Sequence, residues 1–185
     1  MNQITYQSKL SPRELCYIGF FVAIIALCAQ ITIPLPGGVP FTLQAWAVGL
    51  SGLTLGAKKG AVATFVYVLL GFIGAPVFVG FTGGVGMLFH PTAGFILSFP
   101  VMAFLAGLGS YKNNLAWAYI GLTTGVVINF ICGLLFFSLI TSVGLLAAFG
   151  FTVLPFIFPT IIKLTILPLI SKSILMALGK ARLTP

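Results

Sequence analysis

Lys163 is the residue whose type and position most directly indicate chemistry, because it lies in the apolar stretch FPTIIKLTI (residues 158–166). Counted at 1.5 Å per residue from a helix start near Leu154, it lies roughly 13 Å into the last apolar segment. An unpaired ammonium at mid-depth in a membrane costs on the order of 2.5–3.5 kcal/mol, so a partner is expected. The single acidic residue of the chain, Glu14, is far away, near the N-terminus.

Several interpretations of Lys163 are compatible with the sequence. Its long stem could carry the ammonium towards the outer headgroups, although from that depth the stem reaches only part of the way. Backbone carbonyls and hydroxyls could solvate the charge, the lysine could be neutral, or an anionic group could arrive with a ligand. We favour the ligand, because an ionisable residue within a membrane-spanning segment usually marks a functional site.

Weaker polar candidates are predicted on the same outer side of the membrane. Two of them follow the breaker IPLPGGVP, and the rest lie in the Gly- and Pro-rich segment GFTGGVGMLFHPTAGF. Irregular backbone at membrane depth is tolerated where it lines a cavity, and apolar walls with a few directed polar groups are typical of a small-molecule pocket. Taken singly, such residues also fit helix caps and lipid-facing filler. The residues predicted to bind a ligand with Lys163 are Thr42, Gln44, Gly83, Gly84, His90, Thr92 and Phe95.

Catalytic and metal-binding patterns are missing from the sequence. It contains no GxxxxGKS/T phosphate loop and no pair of carboxylates for acid–base catalysis. The single histidine lacks metal-ligand spacing to the cysteines, and Cys16, Cys28 and Cys132 fall within apolar spans, where they fit a packing role. No intramembrane acid is available to relay protons, so uphill transport would need a separate energy source. We therefore predict that the chain is not an enzyme and holds no metal and no cofactor.

The composition identifies the environment of these residues. Hydrophobic residues make up 59% of the chain and charged residues 5%, with a mean hydropathy of +1.20, which excludes a soluble domain with a polar surface. Apolar segments recur from residue 15 nearly to the C-terminus, so a secreted chain is excluded and no cleavable leader is predicted. We predict a multi-pass protein of a prokaryotic plasma membrane, surrounded by lipids, with residues 1–185 forming one transmembrane domain.

Charges and Pro/Gly clusters divide the chain into an all-α bundle of six transmembrane helices with irregular Gly- and Pro-rich outer loops. The first half of the GAPVF stretch, before the fourth helix, could instead form a re-entrant element. The segment TSVGLLAAFG is interpreted as the last outer loop. The predicted spans cover residues 15–33, 41–56, 60–73, 92–108, 115–139 and 154–178.

Basic residues predict the orientation, because loops rich in lysine and arginine stay in the cytoplasm. In the six-span arrangement all of them except Lys163 fall on one side, so both termini are predicted to be cytoplasmic. This topology explains the net charge of +8, and without a basic stripe on a soluble face a nucleic-acid partner is excluded. The residues on the cytoplasmic side are Lys9, Arg13, Lys58, Lys59, Lys112, Lys172, Lys180 and Arg182.

Three motifs carry a resemblance to a known family. They are IPLPGGVPFTLQ after the first span, LGAKKG between the second and third spans, and GGVGMLFHPTAG before the fourth. With these motifs the sequence closely resembles BioY, the biotin-specific substrate-binding (S) component of energy-coupling factor (ECF) transporters, over nearly its whole length. The resemblance implies high-affinity capture of biotin and, as partners, a transmembrane coupling (T) component and a pair of cytoplasmic ATPases. It also implies that the bundle tips over in the membrane to deliver the vitamin.

A docking face for the coupling component is a further implication of the resemblance. In relatives, small residues on the first helix form this face. The corresponding residues here are Gly19, Ala23 and Ala26. The same spacing also serves ordinary helix packing.

Individual ligand contacts are implied as well. Thr42 matches the threonine of the family's VPFT motif, and Lys163 matches the lysine of its last helix. Relatives carry an aspartate in a PGD-x-x-K run where this chain has Thr160, and their GPTGGY is HPTAGF here, with His90 for glycine and Phe95 for tyrosine. A threonine hydroxyl can accept a hydrogen bond but brings no charge. Thr160 is therefore expected either in a divergent biotin site or in a site for a related carboxylated ligand, such as a biotin precursor.

Two other function classes remain open on the sequence alone. An uncoupled facilitator or channel would use the Gly-rich outer loops as a pore mouth, but the chain has no repeat that could build a ring of carbonyls or charges. A membrane enzyme that used His90 or Lys163 would lack a partner acid or nucleophile.

Overall fold

The computed structural model describes residues 11–35, 37–110 and 114–180. Three of the residues used to predict the orientation, Lys9, Lys112 and Arg182, lie outside the described residues. The described chain is helical apart from loops, one antiparallel hairpin and three 3₁₀ turns. The helices are α1 (Pro12–Gln30), α2 (Gln44–Leu55), α3 (Ala57–Phe72), α4 (Ala93–Ser110), α5 (Leu115–Thr141), α6 (Leu145–Thr152) and α7 (Ile157–Lys180); the strands are β1 (Thr32–Ile33) and β2 (Phe41–Thr42); the 3₁₀ turns are Val79–Phe81, Val85–Phe89 and Leu154–Phe156.

Four of the described segments are long and apolar enough to cross a membrane. They are α1, α4, α5 and the stretch Leu145–Lys180, which contains α6 and α7. The helices α2 and α3 are shorter, with 12 and 16 residues. Large apolar side chains point outward, and Leu27 is 69% exposed and Leu146 87%. Such a surface is suited to lipid, and the prediction of a mostly helical integral membrane protein is confirmed.

The connection between α1 and α2 differs from the prediction. Both predicted spans, 15–33 and 41–56, include residues that form the hairpin, in which Thr32 is paired with Thr42. The helix α1 therefore ends at Gln30, and α2 begins at Gln44. Prolines in IPLPGGVP prevent a continuing helix, and strand pairing satisfies backbone groups that would otherwise be open at membrane depth.

The connection between α2 and α3 is the single residue Gly56, whose φ of 81° is accessible to glycine at little cost. Lys58 and Lys59, predicted in a loop, therefore lie in the first turn of α3. The Lys59 Nζ is 2.8 Å from Glu14 Oε1. Glu14 Oε2 accepts the Ser11 N–H at 2.7 Å in the capping box of α1. The acidic residue of the chain is thus paired at the start of α1 and α3.

The segment TSVGLLAAFG, predicted as a loop, contains most of α6. The helix α5 ends where Ser142 adopts a left-handed φ of 56°, and α6 starts three residues later. Its residue Ala148 is fully buried against Val39 and Phe137. The segment is apolar, and a helix satisfies its backbone within the membrane, where a loop could not. The 3₁₀ turn that follows delays α7 to Ile157, and α3, α4 and α5 lie within three residues of their predicted spans.

The centre of the bundle is a close backbone contact between α2, α3 and α4. A Cβ on Gly52 of α2 would collide with the Ala103 carbonyl of α4, and a Cβ on Gly60 of α3 would collide with the Gly52 backbone. The side chains of Val48 and Met102 are fully buried in the surrounding core. Small residues let helices approach closely where lipid provides little hydrophobic drive between them. These three helices therefore form a fixed frame for one wall of the site.

Candidate functional site

A cavity of about 420 Å³ opens at the end of the bundle formed by the hairpin and the 3₁₀ turns that precede α4. Its walls come from the starts of α2, α4 and α7, from the middle of α5 and from the loops between α1 and α2 and between α3 and α4. This volume is within the usual range for small-molecule sites. Among the residues predicted to bind a ligand, those on the cavity wall are Thr42, Gln44, His90, Thr92, Phe95, Thr160 and Lys163.

Gly83 and Gly84 are not among the residues that line the cavity. The Gly84 N–H donates to the Gly71 carbonyl at the end of α3, at 2.7 Å. A Cβ on Gly83 would collide with the Ala75 carbonyl. These two glycines therefore allow the loop to pack against α3, and their predicted role in ligand binding stays a prediction.

Lys163 extends from α7 into the cavity. Its side chain is only 5% exposed, and among the described residues it has no hydrogen-bond or ion-pair partner. Every fully buried side-chain nitrogen or oxygen of the described chain has a partner, so the Lys163 Nζ must be accessible from the cavity. A cation is thus held at the wall of an apolar cavity, and no anion from the described part of the chain compensates it.

Gln44 is held by a hydrogen-bond chain that the sequence did not predict. Its Nε2 donates to the Tyr67 hydroxyl at 2.7 Å, and that hydroxyl donates to the Val77 carbonyl at 3.0 Å. Because a carbonyl can only accept, the tyrosine must donate to Val77 and accept from Gln44. The fully buried Tyr67 therefore orients the carboxamide, and the Gln44 Oε1 has no hydrogen-bond partner among the described residues.

Aromatic rings form one apolar side of the cavity. Phe95 lies edge-on to Phe130 with ring centres 6.3 Å apart, and Phe130 lies 6.4 Å from Phe156. Phe156 in turn lies 6.4 Å from Phe41 of the hairpin. The four rings join α4, α5, the turn before α7 and the hairpin. They present an apolar surface to a flat or compact ring system of a ligand.

His90 is at the mouth of the cavity and pairs with Thr92. Its Nδ1 is 2.8 Å from Thr92 Oγ1 and accepts the Thr92 N–H at 3.3 Å. An Nδ1 that accepts from the backbone requires the neutral tautomer with the proton on Nε2. Partial burial also lowers the pKa of His90. The ring is thus a neutral group beside the cavity, and the cavity wall keeps a single cation.

We expect His90 to titrate below its ordinary pKa of about 6.5 in the folded protein. NMR of histidine-labelled protein in detergent measures this directly, since the chain contains a single histidine. The folded state binds the proton less readily than the unfolded state, so this contribution to stability is complete above about pH 6.5 and decreases as the pH falls. The unfolded protein should titrate near 6.5, and a folded-state value at or above that would contradict the prediction.

The small residues predicted as a docking face lie on α1, away from the cavity. Gly19 and Ala23 are exposed on the outer surface of the bundle. Ala26 is half-buried and packs against the core, and its carbonyl accepts the Gln30 Nε2 at 3.2 Å. The exposed part of the predicted stripe is therefore Gly19 and Ala23.

A sequence model of the BioY family matches residues 3–180 of the chain. The chain belongs to the BioY family. It is 40% identical over 170 residues to the biotin transporter BioY2 of Lactococcus lactis, with 90% of this chain and 92% of that protein covered. It is 38% identical over 154 residues to the probable biotin transporter BioY of Pyrococcus horikoshii, with 83% and 91% covered. The family resemblance predicted from the three motifs is confirmed.

The fold of this BioY chain is also similar to a solved structure. The crystal structure of the S-component for biotin from an ECF-type ABC transporter matches it with a TM-score of 0.80 at 26% identity. The match covers 88% of this chain and 90% of that one. Together with the four apolar segments, these relatives identify a multi-pass protein of the cell membrane.

Thr160, at the position where the BioY resemblance implies an aspartate, lines the cavity one helical turn before Lys163. Residues three apart in a helix lie on the same face, so the hydroxyl and the ammonium approach the cavity together. The described cavity wall contains no aspartate or glutamate. A ligand N–H at this wall therefore meets no carboxylate among the described residues.

Sequence reasoning missed Tyr67 and Asn129 as residues of the site. Tyr67 lies within α3 and acts through Gln44, and tyrosine is common in apolar helices. Asn129 lies in the middle of α5, is 5% exposed and lines the cavity. The sequence could have indicated Asn129 by its residue type, because a carboxamide within an apolar span costs free energy unless it is hydrogen-bonded.

Proposed function

We propose that this BioY chain is the high-affinity biotin-binding S component of an ECF-type importer. It captures biotin on the outer side of a prokaryotic plasma membrane and delivers it inward when docked on an ATP-driven module. The observation that carries the proposal is Lys163, which is buried at a cavity of small-molecule size and has no partner among the described residues. Since its relatives are named transporters, we infer that the chain is not an enzyme.

Biotin fits the chemistry of the cavity. Its carboxylate supplies the anion that Lys163 lacks among the described residues, in a charge-assisted contact. Its compact ring system fits the wall of phenylalanines, which includes Phe95 and Phe130. Its ureido ring brings two N–H donors and a carbonyl, and polar groups at the wall, such as Thr42 and Gln44, can pair with a ring of this kind.

The membrane topology proposed for the chain has six spans with both termini in the cytoplasm. In this arrangement α2 and α3 are short spans and α6 and α7 together form the last one. The charge distribution supports it, because Arg13 is at the start of α1, Lys58 and Lys59 are at the start of α3, and Lys180 is at the end of α7. The cavity lies at the opposite ends of these helices, which is then the outer side.

The proposed partners are a T component and a pair of cytoplasmic ATPases. Energy must come from outside this chain, since the sequence has no phosphate loop. The exposed residues Gly19 and Ala23 place two small residues on the outer face of α1, where a coupling helix can approach the backbone closely. Tipping of the whole bundle would then carry the bound vitamin to the cytoplasmic side.

A second candidate ligand follows from Thr160. Where the resemblance implies an aspartate, this chain offers a hydroxyl at the cavity, so a related carboxylated molecule, such as a biotin precursor, is the alternative. Without any ATP-driven partner the chain would instead be an uncoupled facilitator. Measured uptake of biotin into proteoliposomes that contain this chain alone would distinguish an uncoupled facilitator from an S component that needs an ATP-driven partner.

Equilibrium binding of biotin to purified, ligand-stripped protein tests the proposal. We expect saturable binding at submicromolar concentration by the wild type. The variant Thr160→Asp, which restores the aspartate that the resemblance implies, is measured in parallel, because its carboxylate is a stronger acceptor for ureido N–H groups than a hydroxyl but also places an acid one helical turn from Lys163. If neither protein binds biotin at submicromolar concentration, the biotin assignment is wrong, and tighter binding of a precursor by the wild type would favour the alternative.

A further inference from the structure

Asn129 is a buried carboxamide on α5 that the proposed biotin site does not yet use. Its side chain is 5% exposed and lines the same cavity as Lys163. A buried polar group in a membrane-spanning helix costs free energy unless it is paired. The partners of each atom of this carboxamide therefore decide what it can do.

Both donors of Asn129 are occupied within the protein. The Nδ2 lies 2.8 Å from the Phe95 carbonyl and 2.8 Å from Ser98 Oγ, both on α4. The Ser98 hydroxyl donates its own proton towards the carbonyls of Gly94 and Phe95, so it accepts from the carboxamide. These two bonds use both N–H groups of the side chain.

This arrangement fixes which atom of Asn129 faces the cavity. The Phe95 carbonyl can only accept, so the nitrogen must point at α4 and the oxygen away from it. The Oδ1 has no partner among the described residues, and no fully buried side-chain oxygen of the described chain is unpaired. The Oδ1 is therefore accessible from the cavity, as a neutral acceptor held in one orientation.

The charges that line the cavity indicate which ligand group the Asn129 Oδ1 could bind. The described wall has one cation, Lys163, and no acid. A hydroxyl such as that of Thr160 can rotate to donate or to accept, whereas the Asn129 Oδ1 can only accept. An acceptor that is already oriented loses little entropy when it binds a donor.

We propose that Asn129 is a specificity-determining residue of this site and that its Oδ1 receives a ureido N–H of biotin. The inference rests on the proposed function. In this arrangement the neutral carboxamide of Asn129 accepts a hydrogen bond from the ligand. It does so in a cavity where Thr160 provides a hydroxyl and no carboxylate. The site selects ligands with an N–H donor near the phenylalanine wall and discriminates against those without one.

Two substitutions and two ligands test the role of Asn129. Asn129→Leu keeps the size of the side chain and removes the acceptor, and Asn129→Ala removes it but leaves room for water. The ligands are biotin and the thiolane pentanoate that keeps the sulfur ring and the carboxylate but lacks the ureido ring. We expect Asn129→Leu to weaken biotin binding about 10- to 100-fold and Asn129→Ala about 3- to 10-fold. The dissociation constant of the thiolane pentanoate should change less than about twofold in either variant.

Phe130→Leu is the matched control, because Phe130 is the next residue of α5 and lines the cavity without a polar group. This substitution should weaken the binding of both ligands by the same factor. Equal losses of both ligands in the Asn129 variants would show a structural role and overturn the inference, with the biotin assignment intact. If the wild type fails to bind biotin, the proposed function is wrong, and the inference fails with it.

A structure of the wild-type protein with biotin provides a measurement that needs no variant, should both variants misfold. The distance from Asn129 Oδ1 to the nearer ureido nitrogen is expected at about 2.9 Å. A distance above about 3.5 Å would overturn the inference even if biotin occupies the cavity.

Discussion

Lys163→Met is expected to weaken biotin binding by about 30- to 4,000-fold, which is the largest single effect on binding that we predict. Removal of one partner of a desolvated charge pair costs about 2–5 kcal/mol, and each 1.4 kcal/mol is about a factor of ten. Lys163 is 5% exposed and has no protein partner among the described residues. The ligand carboxylate would therefore lose its only counter-ion at the cavity wall.

Biotinamide is the control ligand for Lys163, because its side chain ends in a neutral group. The wild type should bind biotinamide more weakly than biotin, and Lys163→Met should weaken binding of the amide by less than about tenfold. Titration calorimetry of both ligands with both proteins gives the coupling between the lysine and the carboxylate. Equal losses for the two ligands would mean that Lys163 is structural.

Gly52→Val is expected to lower the stability of the folded bundle by about 3 kcal/mol or more. A Cβ at this position collides with the Ala103 backbone carbonyl, which cannot move aside as a flexible side chain could. The helices α2 and α4 would have to separate, and α3 would be displaced too, because Gly60 packs against Gly52. For a chain of this size we expect the midpoint of thermal unfolding to fall by about 6–12 °C.

Gly19→Val is the matched control for this prediction. Gly19 also lies within a helix, but a Cβ there would have nothing within 4 Å. The change of helix propensity is the same in both variants, so the difference between them isolates the contact with Ala103. Thermal unfolding in detergent, followed by tryptophan fluorescence, measures both. Equal midpoints for the two variants would contradict the packing described for Gly52.

The close contact at Gly52 also links stability to binding. The helix α2 begins with Gln44 at the cavity, and α4 begins beside Thr92 and Phe95. A shift of α2 against α4 would therefore move two walls of the cavity relative to each other. Catalytic and binding groups must be held within fractions of an ångström, so rigid packing at this contact supports the site as well as the fold.

Membrane location could be predicted from the sequence alone, and so could the presence of an ionisable residue, Lys163, within the last apolar segment. Both follow from local composition, since an apolar chain is suited to lipid and an ionisable residue within an apolar span marks a candidate site. The family resemblance was available for the same reason, because its motifs are contiguous strings such as IPLPGGVPFTLQ. Helix boundaries were less accurate where the backbone pairs with a distant segment, as at Thr32 and Thr42.

Other features were decided by tertiary contacts between residues far apart in the chain. Gln44 meets Tyr67 across 23 residues, and Asn129 meets Phe95 across 34. The composition of each segment says that a carboxamide is present, but only the distant carbonyl or hydroxyl fixes which of its atoms faces the cavity. The sequence by itself thus determined the membrane location, the family membership and the presence of a lysine within the last apolar segment. The tertiary structure decided which carboxamide oxygens face the cavity as hydrogen-bond acceptors. The orientation of a side chain depends on partners that local sequence patterns do not specify.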